Sequence, residues 1–329
     1  EWLLWLDADD ELVGGEELRS LVAAAAELDA FAVFYDCARD ASEQVVEQVW
    51  RVRLLRRSAG YRWQGAVHEG LVAPTGSHPR VQAVDQDRVR VIHRSVGTET
   101  DPRRNLRILL GAEEREREGG ETLDSSSLFS LSLELVGLGE FVQAIPRLRR
   151  YLAESGPGWT DERVHACHQL AACLRLQGEI AEAIDVEREA AAARPDWVES
   201  SLGLATSYAA LEEWGEAEAW AAKATALAMP SSPLRLDPRW LTLGPPLRLV
   251  EARLAQSAER VLDAVEEVRR RTTLDPWLAA ALEQVEASIA EAETERGLRV
   301  VREALRRYDP YFRAVAASLQ FSARGYDGG

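Results

Sequence analysis

The chain has 329 residues, 46% of them hydrophobic and 10 of them tryptophan, enough for two or three domains with real cores. Its formal net charge of −16 argues against nucleic acid or an anionic membrane as the main partner, because both need basic patches. No apolar run reaches the roughly 20 residues that cross a bilayer, and the first residues do not read as a signal peptide.

The opening stretch, Glu1 to Leu12, reads EWLLWLDADDEL. Trp2 to Leu6 is apolar on both faces, which predicts the central strand of a covered sheet. The run ends in Asp7-Ala8-Asp9-Asp10. Ligands of open α/β sheets bind at the carboxyl ends of strands. Carboxylates there suit Mg²⁺ or Mn²⁺, and such an ion would hold a diphosphate. The plainer alternative is that one aspartate caps the next helix and the others are solvated. The chain starts inside this strand and its only methionine is Met229, so a fragment or processed chain lacking its natural N-terminal part is expected.

Glu16 to Leu28 follows as a predicted helix with Leu18, Leu21, Val22 and Ala25 as its stripe. Ala30 to Tyr35 is a second strand. Val45 to Leu55 alternates, with Val49, Arg51 and Arg53 on one side and Trp50, Val52 and Leu54 on the other, as in an antiparallel strand with a wetter face. The row Arg51, Arg53, Arg56 and Arg57 reads first as a solvated face, and otherwise as a phosphate-facing one. A turn at Arg56–Gly60 leads to Tyr61-Arg62-Trp63-Gln64-Gly65 and Val67-His68-Glu69, and a last strand, Arg88 to Ile92, ends at His93. Glu69, in a loop after a glycine, could serve as a general base if its environment raises its pKa. His93 could ligate a metal through a neutral imidazole. The structural alternatives are a hydrogen-bonded loop pair and a buried, satisfied histidine.

The order WLLWLDADDEL, a short strand, RVRLLRRSAGYRWQGAVHEGL and VIHRS resembles the C-terminal half of a GT-A (Rossmann-like) glycosyltransferase domain. The likeness is to the family 2 inverting enzymes that carry tetratricopeptide repeats behind the catalytic domain, and it covers about residues 1 to 120 and the repeats that follow. It implies that Asp7 and Asp9 hold the Mn²⁺ or Mg²⁺ and the ribose-diphosphate of a nucleotide-sugar donor, with His93 completing the metal shell. It implies Glu69 as the catalytic base that deprotonates the acceptor hydroxyl. His68, Trp63 and Arg57 would line the acceptor or diphosphate side. The family's N-terminal half, with the base pocket, has no counterpart in these residues, so this chain alone is expected to bind donor poorly and the activity to belong to the intact protein.

Asp101-Pro102 opens a connecting helix, Arg103 to Glu118, ended by Gly119-Gly120. A repeat then begins. Its unit reads Gly139-Glu140-Phe141-Val142-Gln143-Ala144, then Gly178-Glu179-Ile180-Ala181-Glu182-Ala183, then Glu212-Glu213-Trp214-Gly215-Glu216-Ala217, with the alanines 39 and 34 residues apart. Helix pairs are predicted over 124–138 with 140–154, 161–176 with 179–194, and 197–211 with 214–228. Stacked pairs make a solenoid whose concave surface binds proteins, or else a buttress or self-association surface. His165, Cys167, His168 and Cys173 share one helix and lack zinc-type spacing, so a metal is not expected there. Pro230 to Pro246 reads as a packed linker, Leu247 to Ala255 with Ala258 to Arg271 as a degenerate pair, and Asp275 to Tyr308 as one helix.

The expected domains are therefore 1–100, the C-terminal half of a GT-A domain; 101–122, a connecting helix; 123–230, tetratricopeptide repeats; and 231–329, a degenerate repeat with C-terminal helices. The cysteines number 3, without a C-x-x-C, which fits a reducing, cytoplasmic setting. The function expected is sugar transfer from a nucleotide-sugar to a glycan, lipid-linked or protein acceptor. The alternative is a non-catalytic tetratricopeptide interaction scaffold.

Overall fold

The computed structural model describes residues 1–39, 45–64, 67, 70–74, 78–85, 87–94, 103–120, 122–156, 158, 160–228, 234, 236–257, 260–271 and 275–315. The chain forms two compact units: Glu1–Ser130 with Ser231–Pro238, and Leu131–Pro230 with Arg239–Gly329. Among the described residues no helix is long and apolar enough to cross a membrane.

The first unit contains β1 (Trp2–Leu4), β2 (Asp10–Val13), α1 (Leu18–Ala24), β3 (Ala30–Arg39), β4 (Val45–Arg56), β5 (Arg62–Gln64), β6 (Gly70–Val72), β7 (Val81–Ala83), β8 (Arg90–His93) and α2 (Arg104–Arg117). The main sheet runs β1-β4-β3-β8-β2, with β7 also on β3, while β5 and β6 make a separate ribbon. Strand β3 is antiparallel to β4 and parallel to β7 and β8. Its side chains Phe31, Val33 and Tyr35 meet Leu21 and Ala25 near α1, Val49 and Leu54 of β4, and Val91 of β8 in one core. This is an α/β unit in the coarse sense. Among the described residues the parallel pairs are β3 with β7 and β3 with β8, and the helix between strands is the seven-residue α1.

Two expectations fail here. Trp2 to Leu6 is not the central strand. Among the described residues β1 pairs only with β4, and Leu3 and Leu4 are 41% and 40% exposed. The aromatic, β-branched run of β3 has neighbours on both sides instead, and Trp2 packs its ring on Phe31 at 5.4 Å. Nor is the arginine row a solvated face. Arg53 is fully buried. Arg56 donates from Nη2 to Ala25 O at 2.6 Å and from Nε to Leu28 O at 2.9 Å. It thereby ties β4 to carbonyls of the turn that follows α1.

Helix α3 (Ser125–Gly137) spans the boundary between the units. The second unit continues with α4 (Phe141–Glu154), α5 (Asp161–Leu176), α6 (Ile180–Ala193), α7 (Val198–Ala210), α8 (Trp214–Ala226), α9 (Pro238–Gln256), α10 (Val261–Arg271), α11 (Pro276–Ala290) and α12 (Thr294–Tyr308). The repeat alanines Ala144, Ala183 and Ala217 have no solvent exposure, as close approach of paired helices requires. Each pair reverses through one turn. Gly139, Gly178 and Glu212 take positive φ of 75°, 85° and 60°. The next N–H, of Glu140, Glu179 or Glu213, bonds to the carbonyl of Leu135, Leu174 or Tyr208 at 2.8, 2.9 and 3.0 Å. This is the Schellman closure.

A further turn of this kind corrects the prediction of one long helix from Asp275 to Tyr308. Ala292 has φ 58° and the Glu293 N–H bonds to Ser288 O at 2.8 Å. Gly297 then stands, buried, where the other units place their small alanine. The Pro-rich stretch, expected as a packed linker, also carries regular structure. Leu236 exchanges backbone bonds with Gln48 of β4 at 3.1 and 3.2 Å, and Pro245 and Pro246 lie buried inside α9.

The inner helices are covered on every face. All residues from Val164 to Leu174 in α5 and from Val198 to Ala205 in α7 are buried. Ala252 of α9 packs with Leu204, Tyr208 and Ala217, and the Tyr311 ring lies 5.8 Å from that of His168. The open concave surface expected of a solenoid is thus filled, along α5 and α7, by the chain's own later helices.

Candidate metal centre

The acidic stretch is shaped by a tight turn. Asp10 N–H bonds to Asp7 O at 3.1 Å, and Asp7 N–H to Asp10 Oδ2 at 3.0 Å. The turn delivers the chain into β2, whose first residue, Asp10, pairs in antiparallel register with His93 at the end of β8. Strand β3 flanks β8 on the other side with Tyr35 opposite Val91. Three neighbouring strands therefore bring Asp10, His93 and Tyr35 together.

The oxygens of Asp9 and Asp10 and a ring nitrogen of His93 lie within 4.8 Å of one another, a group that could hold a metal ion. Two carboxylates and an imidazole suit Mn²⁺ better than Mg²⁺, which favours an all-oxygen shell. The expected ligands Asp9 and His93 are brought together. Asp7 lies outside the group, 53% exposed and 3.6 Å from Arg53. Asp10, one of the three carboxylates of the stretch but not one of the two assigned to the ion, completes the group. The signal for it is the register of β2 on β8, which a D-x-D pattern does not reveal.

Beneath the carboxylates sits Arg53. Its guanidinium lies between the rings of Trp5 and Tyr35, 3.7 and 4.3 Å from their centroids, and 3.2 Å from Asp10 Oδ2. Its nitrogens carry no hydrogen bond among the described residues, so its interaction with the site is one of charge and stacking. One guanidinium against the carboxylates of Asp7, Asp9 and Asp10 leaves two formal negative charges, the complement of a divalent ion. Tyr35 donates its hydroxyl to Asp10 Oδ1 at 2.9 Å. Burial, then the hydrogen bond to Asp10, hold the Tyr35 pKa well above the phenol range, so the hydroxyl acts as a donor.

Comparison with known proteins adds little. No family model matches the chain, and no curated protein matches it. Among solved structures it is similar to the nearly identical TPR-like repeats of a Podosopora anserina kinesin light chain candidate. The identity is 20% over 54% of this chain and 93% of that one, with a TM-score of 0.41. A single-substitution variant of those repeats gives 19% identity, coverage of 56% and 93%, and a TM-score of 0.41.

The remaining sequence candidates do not converge on the metal group. Arg57 is tied to Glu1, with Nη1 to Oε2 at 3.1 Å. Trp63 is 51% exposed and meets Trp5 edge-on at 4.6 Å between centroids. His68 and Glu69 lie outside the described residues.

In the helical unit the histidines and cysteines have structural surroundings. His165 Nδ1 is 3.0 Å from Glu199 Oε2, and His168 Nδ1 is 2.7 Å from Glu187 Oε1, all four side chains being buried. Trp197 Nε1–H donates to Glu199 at 2.7 Å. Burial pushes the Cys167 and Cys173 thiols up to about 12, the opposite of what a thiolate ligand requires.

Proposed function

We propose that the first unit is catalytic-domain material of a metal-dependent inverting glycosyltransferase. It would move a sugar from a nucleotide-sugar donor to a hydroxyl of a glycan, lipid-linked or protein acceptor. The observation that carries this reading is the meeting of Asp9, Asp10 and His93 at the ends of adjacent strands over a buried Arg53. Asp9 and His93 would hold the ion, and Asp7, at the exposed rim, would face the donor. A bound divalent ion offsets the charge that develops on a leaving diphosphate. Glu69 takes the base role by resemblance, and the exposed Trp63 ring offers an apolar face to an acceptor. We place the protein in the cytoplasm on its cysteine usage.

The test is binding of Mn²⁺ and of a panel of nucleotide-sugars by calorimetry, with turnover of Asp9→Asn and Glu69→Gln in the full-length protein. Unchanged turnover in both variants would overturn the assignment. The second reading, a tetratricopeptide-type scaffold for a protein partner or for self-association, is favoured by the shared turn of the helical hairpins. It predicts a folded chain that binds neither metal nor donor.

A further inference from the structure

Resting on the metal reading above, we propose that Asp10 is not a metal ligand but the positioning residue for His93. In this arrangement Asp10, held by Arg53 and Tyr35, fixes His93 in the Nδ1–H tautomer and leaves Nε2 as the ring nitrogen with a lone pair for an ion.

Both oxygens of Asp10 are already engaged. Oδ2 accepts from the Asp7 N–H at 3.0 Å and faces Arg53 Nη2 at 3.2 Å. Oδ1 accepts from the Tyr35 hydroxyl at 2.9 Å and faces His93 Nδ1 at 3.3 Å. The Asp10 side chain has no solvent exposure, whereas that of Asp9 is 38% exposed. Asp9 is therefore the carboxylate an entering ion can reach.

The surroundings of His93 Nδ1 decide the tautomer. Three oxygens face it: Tyr35 Oη at 3.1 Å, Asp10 Oδ1 at 3.3 Å and Asp9 Oδ1 at 3.7 Å. Tyr35 has one proton, and the carboxylate is both its nearer and its stronger acceptor. A lone pair on Nδ1 would then face oxygen lone pairs alone. An N–H there faces acceptors instead. Carboxylate–histidine–metal arrangements use this device, the outer partner setting the ring's orientation and raising its basicity. Arg53 completes the chain, its Nη2 3.2 Å from Asp10 Oδ2 and its guanidinium wedged between Trp5 and Tyr35.

The experiment uses the 329-residue chain with ¹⁵N-labelled histidine. Long-range nitrogen–proton NMR reads the His93 tautomer without metal, with His93→Gln giving the assignment. Mn²⁺ affinity is read by electron paramagnetic resonance. We expect the Nδ1–H tautomer in the parent chain and in Tyr35→Phe, which removes the hydroxyl 3.1 Å from Nδ1 and leaves the fold's packing in place. We expect Asp10→Asn to weaken Mn²⁺ binding by roughly 10–100-fold and Asp9→Asn to weaken it more. An Nε2–H tautomer in the parent chain, or a switch to Nδ1–H only on Tyr35→Phe, overturns the proposal whether or not Mn²⁺ binds. An Nδ1–H tautomer without Mn²⁺ binding supports the positioning role of Asp10 and removes the metal reading on which its use depends.

Discussion

The Arg53 guanidinium lies 3.2 Å from Asp10 Oδ2, and neither side chain has any solvent exposure. Removing one partner of such a pair strands the other's charge in the interior, at a cost of about 3–5 kcal/mol. Arg53→Met should lower the stability of the first unit by that order, read from urea unfolding followed by tryptophan fluorescence. The double variant Arg53→Met with Asp10→Leu should recover most of the loss. A single-variant cost below about 1 kcal/mol would mean that the pair is better solvated than the structure places it.

The shared turn of the helical unit predicts a pattern of gains and losses. Left-handed backbone costs an L-residue roughly 1–2 kcal/mol, which glycine does not incur. Glu212→Gly and Ala292→Gly, at φ 60° and 58°, should each raise the stability of the second unit by up to about 1 kcal/mol. Gly178→Ala, at φ 85°, should lower it by a similar amount. Thermal unfolding followed by circular dichroism would register all three.

Gly203 in α7 makes room for the carboxylate of Glu187. A Cβ at this position would sit 2.0 Å from Glu187 Oε1. Gly203→Ala should therefore destabilise the helical unit by about 1–3 kcal/mol, the usual range for overpacking. Pairing it with Glu187→Ala should make the two costs non-additive.

The buried histidine pairs give stability a pH dependence of opposite sign. Burial lowers the pKa of His168, but the Glu187 carboxylate outweighs it and the net shift is upward. A raised histidine stabilises fully below its unfolded value, about 6.5, and the contribution is lost as pH rises through the folded value. Burial raises the pKa of Glu199, but His165 and the Trp197 N–H outweigh it and bring it down to about 2. That contribution is present above the unfolded value near 4.3 and is lost as pH falls toward the folded one. The stability gap between the parent chain and His168→Gln should narrow above pH ~6.5. The gap to Glu199→Gln should narrow below pH ~4.3. Denaturation midpoints across the pH range would check both, and flat gaps would exclude the coupling.

Much of the helical unit was legible because its signals are local. Glycine and glutamate at the turns and alanine at the helix crossings fix the pairs 125–137 with 141–154, 161–176 with 180–193, and 198–210 with 214–226 to within a residue or two of the predicted bounds. The glycine-free turn at Glu212 was still marked by Ala217, whereas the hairpin at Ala292 has Gly297 in place of that alanine and escaped. In the first unit the strands were legible but their neighbours were not. An apolar run such as Trp2 to Leu6 carries no label for centre or edge, and its place depends on pairings across the sheet. The same limit governed the site. Asp9 and His93 were readable from their positions at strand ends, whereas Asp10 and Arg53 act through partners 83 and 43 residues away in the chain.

The most direct test of the metal reading is Mn²⁺ titration of the chain by calorimetry, alone and with the nucleotide-sugar panel, for the parent and for Asp9→Asn. The account predicts one Mn²⁺ bound by the parent chain, tightened by a nucleotide-sugar and lost in Asp9→Asn. Mn²⁺ binding that Asp9→Asn leaves unchanged, or no binding by a folded parent chain, would contradict it.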